Sequence, residues 1–240
     1  RTVCKLYVKA ADGSGWIGSG AIIGPGQGGH GYWMLTAGHM VYMHDNGGWV
    51  SQIEVIPGYD GVQAQKYEQM PYYHAFVVQS WTYVGWVNNR DHRYDIAWCR
   101  LDRNIGDFTG WMGRMTAGYT NPIYTGILNT AGYPGDKDGG KRMYFDSDYG
   151  RTANEYNHWY YMDTAGGQSG SPVWLYDGTS RYILTVHAYG NDGSGSNHGT
   201  RLRSTVFDDL IYYLTGGGSV PPPTDKADLT DDGQTWSGFS

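Results

Sequence analysis

Short apolar and aromatic runs, each followed by a turn, recur along most of the chain. The runs are rich in β-branched and aromatic residues, which favours strands over helices. Gly, Asn, Asp and Pro separate them, and 38 glycines without a regular period are typical of a chain with many turns. Examples are residues 5–9, 20–24, 32–35, 74–78 and 181–186. This pattern predicts an all-β fold built from barrels or a sandwich.

One segment near the C-terminus has helical periodicity. Thr205 and Asp208 have the spacing of a capping box with Asp in place of Glu, and the glycines at 216–218 predict the end of the helix. The apolar residues at helical spacing are Val206, Phe207, Leu210, Ile211 and Leu214.

The residues after this helix differ in composition from the rest. Residues 216–224 are rich in Gly and Pro, as in linkers, and residues 225–240 are polar and acidic. Two interpretations stay open for the latter: a disordered tail, or the first strand of a further C-terminal module.

Charge and hydropathy restrict the partners. A net charge of −6 and a pI near 5.7 argue against nucleic acid or an anionic membrane as the main partner. No apolar run approaches the roughly 20 residues of a transmembrane helix. Residues 1–3 lead directly into the first predicted strand, so we expect any leader or pro-segment to have been removed or to lie outside the given sequence.

Three motifs carry candidate catalytic residues. They are Leu35-Thr36-Ala37-Gly38-His39, Tyr94-Asp95-Ile96-Ala97, and the turn at 163–172, Asp-Thr-Ala-Gly-Gly-Gln-Ser-Gly-Ser-Pro. A serine hydroxyl needs an adjacent base to take its proton, and that base needs a partner that fixes its tautomer. We therefore assign Ser169 as nucleophile, His39 as base and Asp95 as its partner. The N–H groups of Gly167 and Ser169 would form the oxyanion hole.

Three alternatives to this catalytic assignment are less favoured by the sequence. Asp91 and Asp102 are rivals to Asp95, but the apolar residues at 96–98 indicate that Asp95 points inward at the start of a strand. A Gly-x-Ser-x-Gly nucleophile elbow is disfavoured, because Ser171 occupies the last position and the order His, Asp, Ser differs from that fold. A metal-dependent hydrolase is disfavoured because the sequence has no His-Glu-x-x-His motif.

These motifs resemble those of the chymotrypsin-like serine endopeptidases. The resemblance is strongest to the bacterial glutamyl endopeptidase branch, the staphylococcal-type Glu-specific proteases, and extends from about Val3 to Leu214. The serine motif and the turn at 132–137 are its most specific parts. The segments that carry it are 35–39, 95–97, 132–137, 163–172 and 186–190.

The resemblance implies two six-stranded antiparallel β-barrels with a C-terminal helix, and an active site in the cleft between them. We expect an N-terminal barrel at 1–110 with His39 and Asp95, a C-terminal barrel and helix at 111–215 with Ser169, and the linker and tail at 216–240. It also implies a secreted, extracellular and monomeric endopeptidase that needs no cofactor or metal and cleaves protein or peptide substrates through an acyl-enzyme.

The resemblance further assigns substrate-binding roles to Thr164, His187 and Gly190. A Glu side chain needs hydrogen-bond donors at its carboxylate, and a hydroxyl and an imidazole can both donate. Cleavage after Glu, and less well after Asp, is therefore expected. Because of Asp163, cleavage after basic residues is an alternative, and cleavage after apolar residues is another. A catalytically silent binding module of the same fold is a further alternative.

The two cysteines are Cys4 and Cys99. Because the resemblance implies export, we expect a disulfide that joins the first strand to the strand after Asp95. Two buried free thiols are the alternative.

Overall fold

A computed structural model describes residues 1–24, 31–191, 193, 195–215 and 226–228. The helices are α1 (Lys66–Gln69), α2 (Val84–Asn89), α3 (Gly106–Thr109) and α4 (Ser204–Leu214), with short 3₁₀ turns between strands. The strands are β1 (Val3–Lys9), β2 (Gly15–Ile23), β3 (Trp33–Thr36), β4 (Tyr42–Met43), β5 (Gly48–Trp49), β6 (Gln52–Pro57), β7 (Ala75–Tyr83), β8 (Ala97–Leu101), β9 (Gly113–Arg114), β10 (Ile127–Gly132), β11 (Tyr144–Ala153), β12 (Asn157–Tyr160), β13 (Pro172–Tyr176), β14 (Arg181–Tyr189), β15 (Asn197–Arg201) and β16 (Lys226–Asp228).

The strands form two closed barrels. In the first, the order is β7-β6-β1-β2-β3-β8, and pairing of β7 with β8 closes the ring. In the second, the order is β13-β10-β11-β12-β15-β14, and pairing of β13 with β14 closes the ring. All twelve strands pair antiparallel with their barrel neighbours, so the predicted pair of six-stranded barrels is confirmed. β9 and β16 add to the edges of β14 and β7.

Helix α4 follows the second barrel but packs on the core of the first. Its buried residues are Val206, Leu210 and Leu214, three of the five that the periodicity selected. The predicted capping box is wrong, because the helix begins at Ser204 after Arg203, and no side chain caps its first turn. The Thr205 hydroxyl instead accepts a hydrogen bond from the Arg203 guanidinium (2.7 Å).

The predicted disulfide is also wrong. Cys4 and Cys99 are both buried free thiols. Cys4 lies on β1 and Cys99 on β8, and two strands separate β1 from β8 in either direction around the barrel. The two residues therefore lie on opposite sides of the ring, whereas a disulfide needs Cα atoms within about 7 Å.

The C-terminal predictions fall mostly outside the described residues. This holds for the glycines at 216–218, the linker at 216–224 and all of the tail at 225–240 except 226–228. Those three residues form β16, whose backbone pairs with β7 of the first barrel.

Gly170 holds the two barrels in close contact. It has a φ of +87°, and a Cβ added there would lie 2.1 Å from both the carbonyl oxygen of Ser19 and Oγ1 of Thr36. Ser19 and Thr36 belong to β2 and β3 of the first barrel. Because a side chain at this position would collide with backbone, only glycine lets the serine turn approach the first barrel this closely.

We expect Gly170→Ala to lower the free energy of unfolding by about 2–5 kcal/mol, the sum of a left-handed backbone penalty and steric overlap. Gly178→Ala is the matched control, because Gly178 also has a positive φ (+100°) but a Cβ there would meet nothing within 4 Å. The control should lose only about 1–2 kcal/mol. Urea unfolding measures both, and equal losses would contradict the steric argument.

Candidate active site

The structure places His39 against Asp95. His39 lies in a 3₁₀ turn directly after β3, and Asp95 lies two residues before β8. The His39 Nδ1–H donates to Asp95 Oδ2 (2.8 Å), and the His39 backbone N–H donates to Asp95 Oδ1 (2.8 Å). The carboxylate therefore fixes both the ring and the turn that carries it, and leaves Nε2 of the imidazole as an acceptor.

Gly38 explains why the histidine motif has its form. A Cβ added at Gly38 would lie 3.0 Å from Asp95 Oδ1 and 2.9 Å from Oγ1 of Thr82. A larger residue would push the carboxylate away from His39, so glycine precedes the histidine.

The rival aspartates have other partners. Asp91 caps the 3₁₀ turn by accepting from the Arg93 backbone N–H, and also pairs with the Arg93 guanidinium. Asp102 is exposed and accepts from the Phe76 backbone N–H (2.9 Å). Of these three carboxylates, Asp95 is the one that reaches His39.

Charge and burial shift the pKa values of His39 and Asp95 in opposite directions. Burial alone would lower the pKa of His39, but the charge and hydrogen bond of Asp95 outweigh it and raise that pKa above its ordinary value. Burial alone would raise the pKa of Asp95, but the charge of His39 lowers it, as do the hydrogen bonds from His39 and Tyr189. Asp95 therefore remains a carboxylate at neutral pH although it is fully buried.

The sequence analysis missed Tyr189, which completes this arrangement. Its hydroxyl donates to the same Asp95 Oδ2 that accepts from His39. The Tyr189 ring is held between two imidazoles, His92 (centroids 4.1 Å apart, planes at 16°) and His198 (4.9 Å, 25°). His198 in turn stacks on Trp159 (5.6 Å, 26°). Tyr189 lies 94 residues from Asp95 in sequence, so no local pattern could have revealed this contact.

The serine turn is held by contacts with the first barrel. The backbone N–H of Ser19, in β2, donates to the Ser169 carbonyl (2.8 Å), and its hydroxyl donates to the Gly167 carbonyl (2.9 Å). The Gly170 N–H donates to the His187 carbonyl (2.8 Å). Ser169 itself is half-buried. Ser19 is fully buried and was also missed by the sequence analysis.

The N–H groups of this turn differ in how they are used. Those of Gln168, Gly170 and Ser171 donate to protein carbonyls. Among the described residues, no group accepts from the N–H of Gly167 or of Ser169. These are the two donors that the sequence assigned to an oxyanion hole.

The predicted substrate-binding residues lie on neighbouring segments of the second barrel. His187 is buried on β14, and its Nδ1 is 2.7 Å from the hydroxyl of Tyr160, on β12. Thr164 is half-buried, and its hydroxyl oxygen is buried without a hydrogen-bond partner among the described residues. Gly190 is exposed at the end of β14; a Cβ there would meet only Asn197 Oδ1, at 3.9 Å. Asn197 also donates to the carbonyl of Met162 (2.7 Å), which ties β15 to the segment before Thr164.

Asp163 does not lie where a basic-specificity pocket would need it. Its side chain is 80% exposed, and Oδ2 lies 3.6 Å from Nζ of Lys137. An acid at the base of a pocket would instead be buried.

A cavity of about 340 Å³ lies beside His39. Trp86, Met43 and Tyr189 are among the residues that line it, and its rim includes Arg90. Arg90 pairs with the exposed Asp45 across this rim. The cavity offers room for a large side chain directly next to the imidazole.

Two curated proteins match most of this chain at 32% identity. A Bacillus subtilis protein named "Extracellular metalloprotease" is 32% identical over 216 residues, which cover 89% of this chain and 63% of that protein. The glutamyl endopeptidase of Bacillus licheniformis is 32% identical over 217 residues, covering 87% and 62%. The chain thus spans a little under two thirds of the curated relatives it matches. No protein-family model matches it.

Solved structures give the same fold. A Glu endopeptidase in complex with MPD superposes with a TM-score of 0.72 at 24% identity, covering 90% of each chain. The thermostable serine protease AL20 also gives 0.72, at 18% identity, covering 89% of this chain and 97% of that one. The chain therefore has the chymotrypsin-like two-barrel fold of these proteases. Its sequence is similar to that of a glutamyl endopeptidase, the branch that the motifs resemble.

The described residues contain neither a metal-binding cluster nor a membrane-crossing helix. No three His, Cys, Asp or Glu side chains in that part of the chain are grouped so as to hold a metal ion. Among the same residues, no helix combines the length and apolarity needed to cross a membrane.

We expect Tyr189→Phe to raise the pKa of His39 further. Without the hydroxyl, Asp95 Oδ2 has one donor fewer, so it holds the protonated imidazole more strongly. The ring and its stacking are retained. An NMR titration of His39 measures the shift, with the exposed Tyr161→Phe as control. An unchanged or lower pKa in Tyr189→Phe would contradict this role.

Proposed function

We propose that this protein is a secreted serine endopeptidase that cleaves peptide bonds after glutamate, and less well after aspartate. The observation that carries the proposal is the hydrogen bond from His39 Nδ1 to the buried carboxylate of Asp95. It leaves Nε2 free to accept a proton, which is what a serine nucleophile requires of its base.

The proposed mechanism gives each of these residues a role. Ser169 Oγ attacks the substrate carbonyl carbon while His39 Nε2 takes the hydroxyl proton. The oxyanion that forms accepts from the N–H groups of Gly167 and Ser169, which donate to no described protein group. Collapse breaks the C–N bond, and His39 gives its proton to the leaving amine. Water then attacks the acyl-enzyme, His39 takes the proton from water, and Ser169 recovers it as the new acid departs.

Three observations support recognition of an acidic side chain. The His187 imidazole and the Thr164 hydroxyl can both donate, and the Thr164 oxygen has no partner among the described residues. Among the same residues, a Cβ at Gly190 would meet one atom, Asn197 Oδ1, at 3.9 Å. Asp163, the residue that favoured basic substrates, points into solvent beside Lys137. The similarity to a glutamyl endopeptidase points the same way. Secretion is inferred from the resemblance to secreted endopeptidases and from the relative named as extracellular.

Digestion of a diverse peptide library tests both chemistry and specificity. We expect cuts mainly after Glu, and Ser169→Ala should lower kcat by on the order of 10⁴–10⁶-fold, leaving only binding and oxyanion effects. Ser171→Ala is the matched control, because that nearby hydroxyl is buried and has no partner among the described residues. Cuts mainly after Lys, Arg or large apolar residues would reject the specificity alone. Near wild-type turnover of Ser169→Ala would reject the nucleophile. A folded, inactive wild-type enzyme that a sulfonyl fluoride fails to label would support the silent module.

The pH profile of kcat/KM tests the base. His39 must be neutral to accept a proton, and its pKa is raised above the ordinary value of about 6.5. Activity should therefore fall about tenfold per pH unit on acidification, with a midpoint above 6.5. A substrate Glu, with a pKa near 4.3, stays ionised through this range. A midpoint well below 6.5 would contradict the assignment.

A further inference from the structure

Tyr160 and His187 form a hydrogen bond in which both partners are buried. Tyr160 is fully buried at the end of β12, and His187 is 3% exposed on β14. The phenol oxygen and Nδ1 are 2.7 Å apart. Among the described residues, the His187 ring has this one hydrogen bond. The position of the proton on the ring therefore depends on whether Tyr160 or His187 donates.

Only one direction satisfies both groups. If Nδ1–H donated, the phenol proton of Tyr160 would need another acceptor, and the described residues offer none to this buried group. An unpaired buried donor is costly. Burial also raises the pKa of Tyr160 well above its ordinary value, so the phenol stays protonated. Tyr160 therefore donates, and Nδ1 accepts.

We infer that Tyr160 is a positioning residue that fixes His187 as the neutral tautomer with its proton on Nε2, the ring nitrogen that then donates to the substrate carboxylate. A neutral imidazole carries one N–H, so a proton excluded from Nδ1 must lie on Nε2. The part of the inference that concerns substrate rests on the proposed function; the tautomer itself does not.

The charge state of His187 agrees with the geometry. Burial, helped by the neighbouring His39 and His198 and opposed by Asp95, lowers the pKa of His187 to about 3. The free enzyme therefore presents an uncharged donor throughout the working range. Recognition then depends on a hydrogen bond to a charged acceptor, which is stronger than one to a neutral amide. The preference for a Glu over a Gln substrate should thus stay constant between about pH 6 and pH 9.

The tautomer can be read without any substrate. Long-range ¹H–¹⁵N correlation of histidine-labelled enzyme distinguishes protonated from unprotonated ring nitrogens. His158 is an internal reference: its Nε2 donates to the Tyr124 carbonyl (2.9 Å), and its Nδ1 accepts from the Thr185 hydroxyl (3.0 Å). We expect His187 to show the same pattern as His158. A protonated Nδ1 in the wild-type enzyme would overturn the inference.

Tyr160→Phe tests whether the His187 tautomer determines the preference for a Glu substrate. Nδ1 loses its donor, so the His187 proton is no longer confined to Nε2 and the Glu-over-Gln ratio of kcat/KM should fall on the order of tenfold, mainly through KM for the Glu substrate. Tyr124→Phe is the matched control, another fully buried tyrosine of the same barrel, whose hydroxyl binds Arg201 instead. It should leave the ratio and the His187 signals unchanged.

The outcomes separate the two proposals. A wild-type enzyme without preference for Glu would count against the proposed specificity, while the His187 signals would still decide the tautomer. A Glu preference that survives Tyr160→Phe unchanged would overturn the positioning role. If Tyr160→Phe does not fold, the wild-type tautomer and the pH-independence of the Glu-over-Gln ratio decide it; a ratio that falls with rising pH would show that imidazolium is the donor.

Discussion

The candidate active site depends on two reciprocal contacts between the barrels. Ser19, from the first barrel, holds the backbone of the serine turn through the carbonyls of Gly167 and Ser169. Thr200, from the second barrel, donates to the Asp95 carbonyl (3.0 Å) in the first. Each barrel therefore fixes the backbone of a residue that the other supplies. All these atoms are buried or half-buried, so a shift of one barrel would leave polar groups unpaired, at a cost of about 1–3 kcal/mol each.

Burial also decides how the charged groups behave. Asp95 is fully buried yet ionised, because three hydrogen bonds and His39 compensate for the loss of water. His187 is buried without a carboxylate partner among the described residues and stays neutral. The pKa values of His39 and His187 thus shift in opposite directions because, in that part of the chain, His39 contacts a carboxylate and His187 does not. In the proposed mechanism, this difference suits His39 as a proton acceptor and His187 as a hydrogen-bond donor.

Strand periodicity is a local property, and it predicted an all-β fold of barrels or a sandwich; the resemblance supplied the pair of six-stranded barrels that the structure confirms. The sequence also favoured Asp95 over Asp91 and Asp102 from the apolar residues that follow it, and its carboxylate lies against His39. It failed where the answer depends on tertiary structure: Tyr189, Ser19 and Tyr160 act through contacts between segments far apart in sequence. The disulfide prediction failed for the same reason, since two cysteines in one barrel reveal nothing of their separation until the strand order is known. The capping box failed because its residues matched a motif that the start of the helix did not use.

The separation of Cys4 and Cys99 also bears on how the protein can be made. Both thiols lie in the core of the first barrel on opposite walls, and burial raises the pKa of each, which keeps the reactive thiolate scarce. Folding of the barrels requires no oxidant and no isomerase to shuffle cysteine bonds. A reducing bacterial cytosol is therefore as suitable a compartment for producing the folded barrels as an oxidising one.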